Sequence, residues 1–144
     1  MLIRFQFFKA DGLFIHKFSG RWSSEIYKDY ICDANSHPIQ DKPEVKKVLT
    51  DLRDLEIENI PHEFLKVRQI TNQLDLHNYI NVHIVSSPNL TAFIHLYQNS
   101  ENINSATYHY CSTIEYAIRH LELPYTPEQI EKMIENLENS CGTI

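Results

Sequence analysis

The chain has 144 residues, 42% of them hydrophobic and 22% charged, enough to close one core and short of the usual size for two. Three Gly, six Pro and an aromatic share of 11% exclude collagen-like, low-complexity and strongly disordered chains. A formal charge of -6 argues against a protein that neutralises nucleic-acid phosphates over a broad surface or sits on anionic lipid by charge alone.

No apolar run approaches the roughly 20 residues needed to cross a bilayer, and Arg4 and Gln6 interrupt what would have to be a signal core. The expected address is the cytoplasm, with neither membrane nor nucleic acid as partner. Cys32, Cys111 and Cys141 are widely spaced and form no CxxC pair, so neither a disulfide framework nor a zinc knuckle is visible.

The first twenty residues alternate. Ile3, Phe5 and Phe7 share one face and Arg4 and Gln6 the other, and after Asp11-Gly12 the run Leu13 to Phe18 continues in the same style, which predicts a hairpin. Ser23 and Ser24 open a helix whose Ile26, Tyr27, Tyr30, Ile31 and Ala34 form a stripe, and His37-Pro38 ends it. Val45 to Leu52 is a third strand. Pro61 opens a second helix with Phe64, Val67, Ile70 and Leu74 on one side. Tyr79 to Ser86 is a fourth strand, and Pro88 and Asn89 lead into a helix carrying Leu90, Phe93, Ile94 and Tyr97.

Asn99 to Asn104 is expected as the loop before a fifth strand, Ala106 to Cys111. Ser112 and Glu115 have the spacing of a capping box, and Thr126 with Gln129 repeats the device around Pro127. The last helix buries Ile130, Met133, Ile134 and Leu137, and the residues beyond Asn139 are expected to fray.

Strands alternating with helices of about a dozen residues specify βαβ units with right-handed crossovers. The expectation is an α/β fold with a mostly parallel five-stranded sheet, its first strand antiparallel through the hairpin. Arg4 and Gln6, His16, Lys46 or Lys47, Asn81 and His83, and Thr107 and His109 alternate with apolar neighbours, unlike strands buried on both faces. The crossover helices are therefore expected on one face, with the other partly wet, capped by the C-terminal helix, or used for a partner.

Several strings resemble the STAS superfamily, named for sulfate transporters and anti-sigma-factor antagonists. They are Phe14 to Gly20 before the first helix, Val48-Leu49-Thr50-Asp51-Leu52-Arg53, Ile80-Asn81-Val82-His83-Ile84-Val85, and Thr113 to Ile118 after the fifth strand. The likeness covers residues 1–123 as one α/β domain, with 124–144 as a C-terminal helix packed on it. The resemblance implies a right-handed β-α superhelix without catalytic apparatus, used for protein contact and in some members for nucleotides or apolar ligands. Members switched by phosphorylation carry a serine at the start of the second helix. Here Asp51-Leu52-Arg53-Asp54-Leu55-Glu56-Ile57 holds no hydroxyl.

Ligands of parallel sheets bind outside the strands' carboxyl ends. The loops expected there are Ser19 to Ser24, Asp51 to Asp54, Ser86 to Asn89 and Cys111 to Thr113, so Arg21, Trp22, Asp51, Arg53, Asp54, Ser86 and Ser87 are the candidate ligand- or partner-binding residues. Simple capping and salt bridging among them is the plainer account. Neither GxGxxG nor GxxxxGK[ST] is present, and no cofactor is expected. His83 and His109 on neighbouring strands invite a metal if they share a face, but no third ligand is evident and no metal site is assigned. No GxSxG elbow occurs, and no catalytic residue is assigned. Trp22, Tyr27 and Tyr30 pack the core, or else line a pocket between the first helix and the sheet. Two functions are in contention: a non-enzymatic regulatory module contacting a protein partner or a second copy as a homodimer, and a carrier or sensor of a small amphipathic ligand.

Overall fold

The computed structural model describes residues 1–32, 43–71, 79–99 and 108–143. The expectations for Ala34, His37-Pro38, Leu74, Ala106 and Thr107, and for the loop over 100–104, lie outside these. The chain folds as β1 (Leu2–Phe8), β2 (Leu13–Arg21), α1 (Ser24–Cys32), β3 (Lys47–Glu56), α2 (Ile60–Thr71), β4 (Ile80–Ile84), α3 (Pro88–Gln98), β5 (Tyr108–Cys111), α4 (Ile114–Leu121), α5 (Pro127–Glu135) and β6 (Asn139–Gly142). The sheet order is β5-β4-β3-β2-β1-β6. Strands β2 to β5 are mutually parallel, while β1 is antiparallel to both β2 and β6. This is the mixed α/β layout expected from the spacing, with a mostly parallel sheet and an antiparallel N-terminal hairpin.

The hairpin turns through a 3-10 turn at Lys9–Asp11 closed by Gly12, whose φ of 60 is the left-handed conformation that Gly adopts without cost. The sixth strand corrects the expected count of five and the expected fraying. Ser140 and Cys141 face Arg4 and Ile3 across the β6–β1 ladder, and Gly142 (φ 87) lies so close that a Cβ there would sit 2.4 Å from the Met1 carbonyl oxygen. Four residues of polar composition carry no strand signal alone; the free edge of β1 recruits them.

Strand β3 runs past the expected end at Leu52, and β2 reaches Arg21, so Asp51 to Asp54 and Ser19 to Arg21 are strand and not loop. Between the pairs Lys17↔Asp51 and Ser19↔Asp54, β3 spends one residue more than β2, a bulge that brings both Leu52 and Leu55 into one core. The Arg53 amide freed there donates to Asp51 Oδ1 at 3.1 Å.

The three crossover helices share one face, where Tyr27, Tyr30, Val67, Leu90, Phe93 and Ile94 pack with Phe5, Phe14, Phe18, Val48 and Leu52. The second face is covered as well: Ile114, Ala117 and Leu121 of α4 and Ile130 and Ile134 of α5 pack on Leu13, Ile15, Leu49, Val82 and Ile84. Of the alternatives for this face, capping by the C-terminal helix is what is found, with α4 beside it, and a half-wet face is not. Arg4 does point that way, but it donates to the Glu135 and Leu137 carbonyls at the end of α5, and Gln6 accepts from the Glu138 amide. His16, Asn81 and His83 point the opposite way, into the first core.

The caps follow the sequence with one shift. Thr126 and Gln129 form the expected capping box, and Ser23 Oγ accepts from the Ile26 amide. At α4 the cap is Thr113, which accepts from Tyr116 N, and not Ser112.

Candidate functional site

Sheet register builds a polar row inside the first core. Phe5, His16, Thr50 and His83 are consecutive partners across β1 to β4, with the exposed Tyr110 next in line on β5 and Asn81 and Tyr108 one step along on the same face. Alternation puts His109, the partner of Val82, on the other face, so His83 and His109 do not converge. The His109 ring instead lies 4.0 Å from that of His120 on α4. Among the described residues no group of three or more His, Cys, Asp or Glu is placed to hold a metal ion.

The row is hydrogen-bonded in a definite direction. Thr50 donates to Asn81 Oδ1 at 2.8 Å, so it accepts from His16 Nε2–H at 2.6 Å, and His16 Nδ1 accepts from the Tyr30 hydroxyl at 3.0 Å. His83 Nδ1–H points to the His109 carbonyl at 3.4 Å, a long contact. Burial pushes the His83 imidazole down to about 4, so it is neutral at neutral pH. Beside this row Tyr97 hydrogen-bonds both Tyr27 and Tyr108, and Tyr108 meets the Tyr79 hydroxyl at 2.9 Å. Burial, reinforced by the neighbouring phenols, holds these four hydroxyls above their ordinary range and hence protonated.

Between this polar floor and α1 to α3 lies a chamber with about 60 Å³ open to the centre of a water molecule. Its apolar wall includes Trp22, Tyr27, Leu55, Val67, Phe93 and Ile94, and His16, Thr50, Asn81 and His83 also line it. Trp22 stacks obliquely near Tyr27 and Phe93, at 5.1 and 5.6 Å between ring centroids, and its indole N–H donates to Glu63 Oε2 on α2 at 2.8 Å. The indole is thereby pinned between the β2–α1 connection and α2.

The candidate residues at the strand ends fall into other roles. Asp51, fully buried on the α5 side, receives Arg53 through Nε and Nη2, each at 2.9 Å, and Arg53 Nη1 reaches Glu131 of α5 at 2.7 Å. Lys17 bridges Asp51 and Asp54, and its hydrogen bond lowers the Asp54 pKa. Arg53 therefore spends its fork on two carboxylates and clamps α5 to β3. Ser86 Oγ donates to the Arg53 carbonyl, and Ser87 caps α3 by accepting from Leu90 N. Arg21 is exposed at the end of β2. Of the seven, Trp22 alone lines the chamber; Asp51, Arg53, Asp54 and Ser86 belong together in the clamp. The sequence alone does not assign His16, Thr50, Asn81, His83 or Tyr97 to a ligand site. Their signal is the polar alternation in strands that the bulky apolar neighbours mark as core.

A second concavity, a groove of about 750 Å³ at the ends of β4 and β5, is lined by Ser86, Ser87, Pro88, His95, Tyr110 and Ser112 among others. No described helix is long and apolar enough to cross a membrane.

No family model and no curated protein matches the sequence. Among solved structures, an anti-sigma factor antagonist from Mycobacterium paratuberculosis is similar to this chain, with a TM-score of 0.48 and 16% identity, covering 83% of this chain and 94% of that one.

Proposed function

We propose that the chain is a non-enzymatic, STAS-like regulatory module that senses or carries a small amphipathic molecule in the chamber beneath α1 to α3. The observation that carries this reading is the chamber itself: an aromatic and aliphatic wall facing a few converging polar groups, the ordinary composition of a ligand site. His16, whose two ring nitrogens bond Tyr30 and Thr50, orients the row and is not free to serve as a base toward a ligand. No phosphorylatable serine enters the reading, because residues 51–59, from β3 to the start of α2, contain no hydroxyl. Native mass spectrometry of gently purified protein is expected to show a small-molecule adduct released on denaturation, with a change in Trp22 emission when it is removed. A bare mass, together with no saturable Trp22 response to small-ring probes, overturns the reading.

The second reading, contact with a protein partner or a second copy, is favoured by Tyr110, which is 38% exposed on β5 beside the groove. Sedimentation velocity checks the homodimer: concentration-dependent association lost in Tyr110→Ser supports it, and a monomer at all concentrations counts against it.

A further inference from the structure

Resting on the chamber as the binding site, the chemistry of its floor specifies the ligand further. Asn81 commits its amide oxygen to Thr50, and its Nδ2 makes no hydrogen bond among the described residues. His83 commits Nδ1–H to the His109 carbonyl, and its Nε2 likewise has no protein partner among the described residues. The two side chains stand two residues apart on one strand and both line the chamber, so one N–H donor and one lone-pair acceptor serve the same space.

Among the described residues no Lys, Arg, Asp or Glu lines the chamber, and the Glu63 carboxylate beside the Trp22 indole accepts from its N–H. An anion would enter without a counter-charge. A cation would lose its hydration to a floor whose Asn81 donors repel it. Volume sets the other bound: by the same measure one water needs about 10–15 Å³, so the chamber takes a single ring and not a nucleotide or a long acyl chain.

We propose that Asn81 and His83 together read the polar group of an uncharged single-ring ligand, a hydroxyl or carboxamide that accepts from Asn81 and donates to His83, with its ring against Trp22, Tyr27 and Phe93. Because His83 is neutral at neutral pH, its Nε2 lone pair is available to accept. The ligand completes the hydrogen bonding of the floor, which a plain hydrocarbon ring cannot do.

The 144-residue chain is titrated at pH 7.5 with phenol, benzamide, toluene, benzoate and benzylammonium, and followed by the emission of Trp22, its single tryptophan. Phenol and benzamide are expected to bind at least about tenfold tighter than toluene and than either ion. In Asn81→Leu and His83→Phe that preference over toluene collapses while toluene itself still binds. The wild-type protein supplies a readout free of folding effects: phenol and benzamide should shift the Asn81 side-chain amide and His83 ring nitrogen resonances, and toluene should leave them in place. Benzoate or benzylammonium binding as tightly as phenol, or phenol binding that leaves both resonances unmoved, overturns the head-group inference and leaves the chamber standing as a site. If none of the five probes binds, the proposed function falls with it.

Discussion

The two faces of the one sheet are built on different plans. The α4–α5 face is aliphatic to its centre, with Leu13, Ile15, Leu49, Val82 and Ile84 all fully buried; beyond them the buried Asp51 is held by Arg53 and Lys17, and Arg4 is spent on carbonyls at the end of α5. The α1–α3 face puts a histidine, a threonine, an asparagine and a second histidine in the middle of its core, rings them with phenols and leaves a chamber between. Buried polar groups cost stability unless they are matched: the α1–α3 face spreads them through its centre, whereas the α4–α5 face confines them to the Asp51–Arg53–Glu131 clamp. Helices α4 and α5 brace the sheet, while α1 to α3 enclose the chamber.

The largest effect that separates the two plans comes from truncation on the structural side. Ile130 is fully buried between α5 and the sheet, and Ile130→Ala should cost about 3–4 kcal/mol by leaving a cavity in a close-packed layer. Denaturant unfolding measures the loss. Ligand titration of the variant should give wild-type affinity, and a parallel loss of binding would dissolve the distinction between the faces.

The next effect belongs to the first face and to pH. The folded His83 has its pKa lowered from 6.5 to about 4 by burial, so between those values the unfolded chain takes up a proton that the folded one refuses. Its stabilising contribution is therefore complete above pH 6.5 and is lost as pH falls toward 4. Between pH 7 and pH 5 the loss is about 2 kcal/mol. Chemical denaturation at a series of pH values should show this slope in the wild type and a flatter one in His83→Gln. An identical slope in both proteins would place the acid sensitivity elsewhere.

Much of the fold was legible because hydrophobic spacing and punctuation agreed with it. The hairpin at Asp11-Gly12, the Pro-opened helices and the Thr126 box all appear as the local chemistry dictates. The strand ends were not legible, since the polar residues after Leu52 look like a loop until a bulge and pairing with β2 carry them to Glu56. Strand β6 was hidden for a similar reason: its order comes from a partner about 137 residues away in sequence and not from its own composition. For the site, the alternation of His16, Asn81 and His83 was visible, but period two gives only that they share a side of their own strands. Which side faces α1 to α3, and that a row runs through Thr50, follows from register. Of the ion clamp, the Asp51–Arg53 pair was legible as salt bridging among neighbours, while its Glu131 half was hidden because Arg53 and Glu131 meet only once α5 folds back over the sheet.

The smallest effect tests how the two plans meet at the edge of the chamber. Trp22 follows the end of β2, its amide donates to the Glu56 carbonyl, and its indole N–H donates to Glu63, which also lies 3.7 Å from Lys66 on the same helix. Glu63 is partly exposed, so exchanging its carboxylate for the neutral amide in Glu63→Gln keeps an acceptor within reach and removes only the charge assistance, for about 0.5–1 kcal/mol. Global stability should hardly move. Because the indole is part of the chamber wall, the consequence should appear in rate instead: faster release of phenol in stopped-flow fluorescence, with its association rate little changed. A release rate equal to that of the wild type would mean that the Trp22–Glu63 bond only braces α2 against β2 and takes no part in holding the ligand.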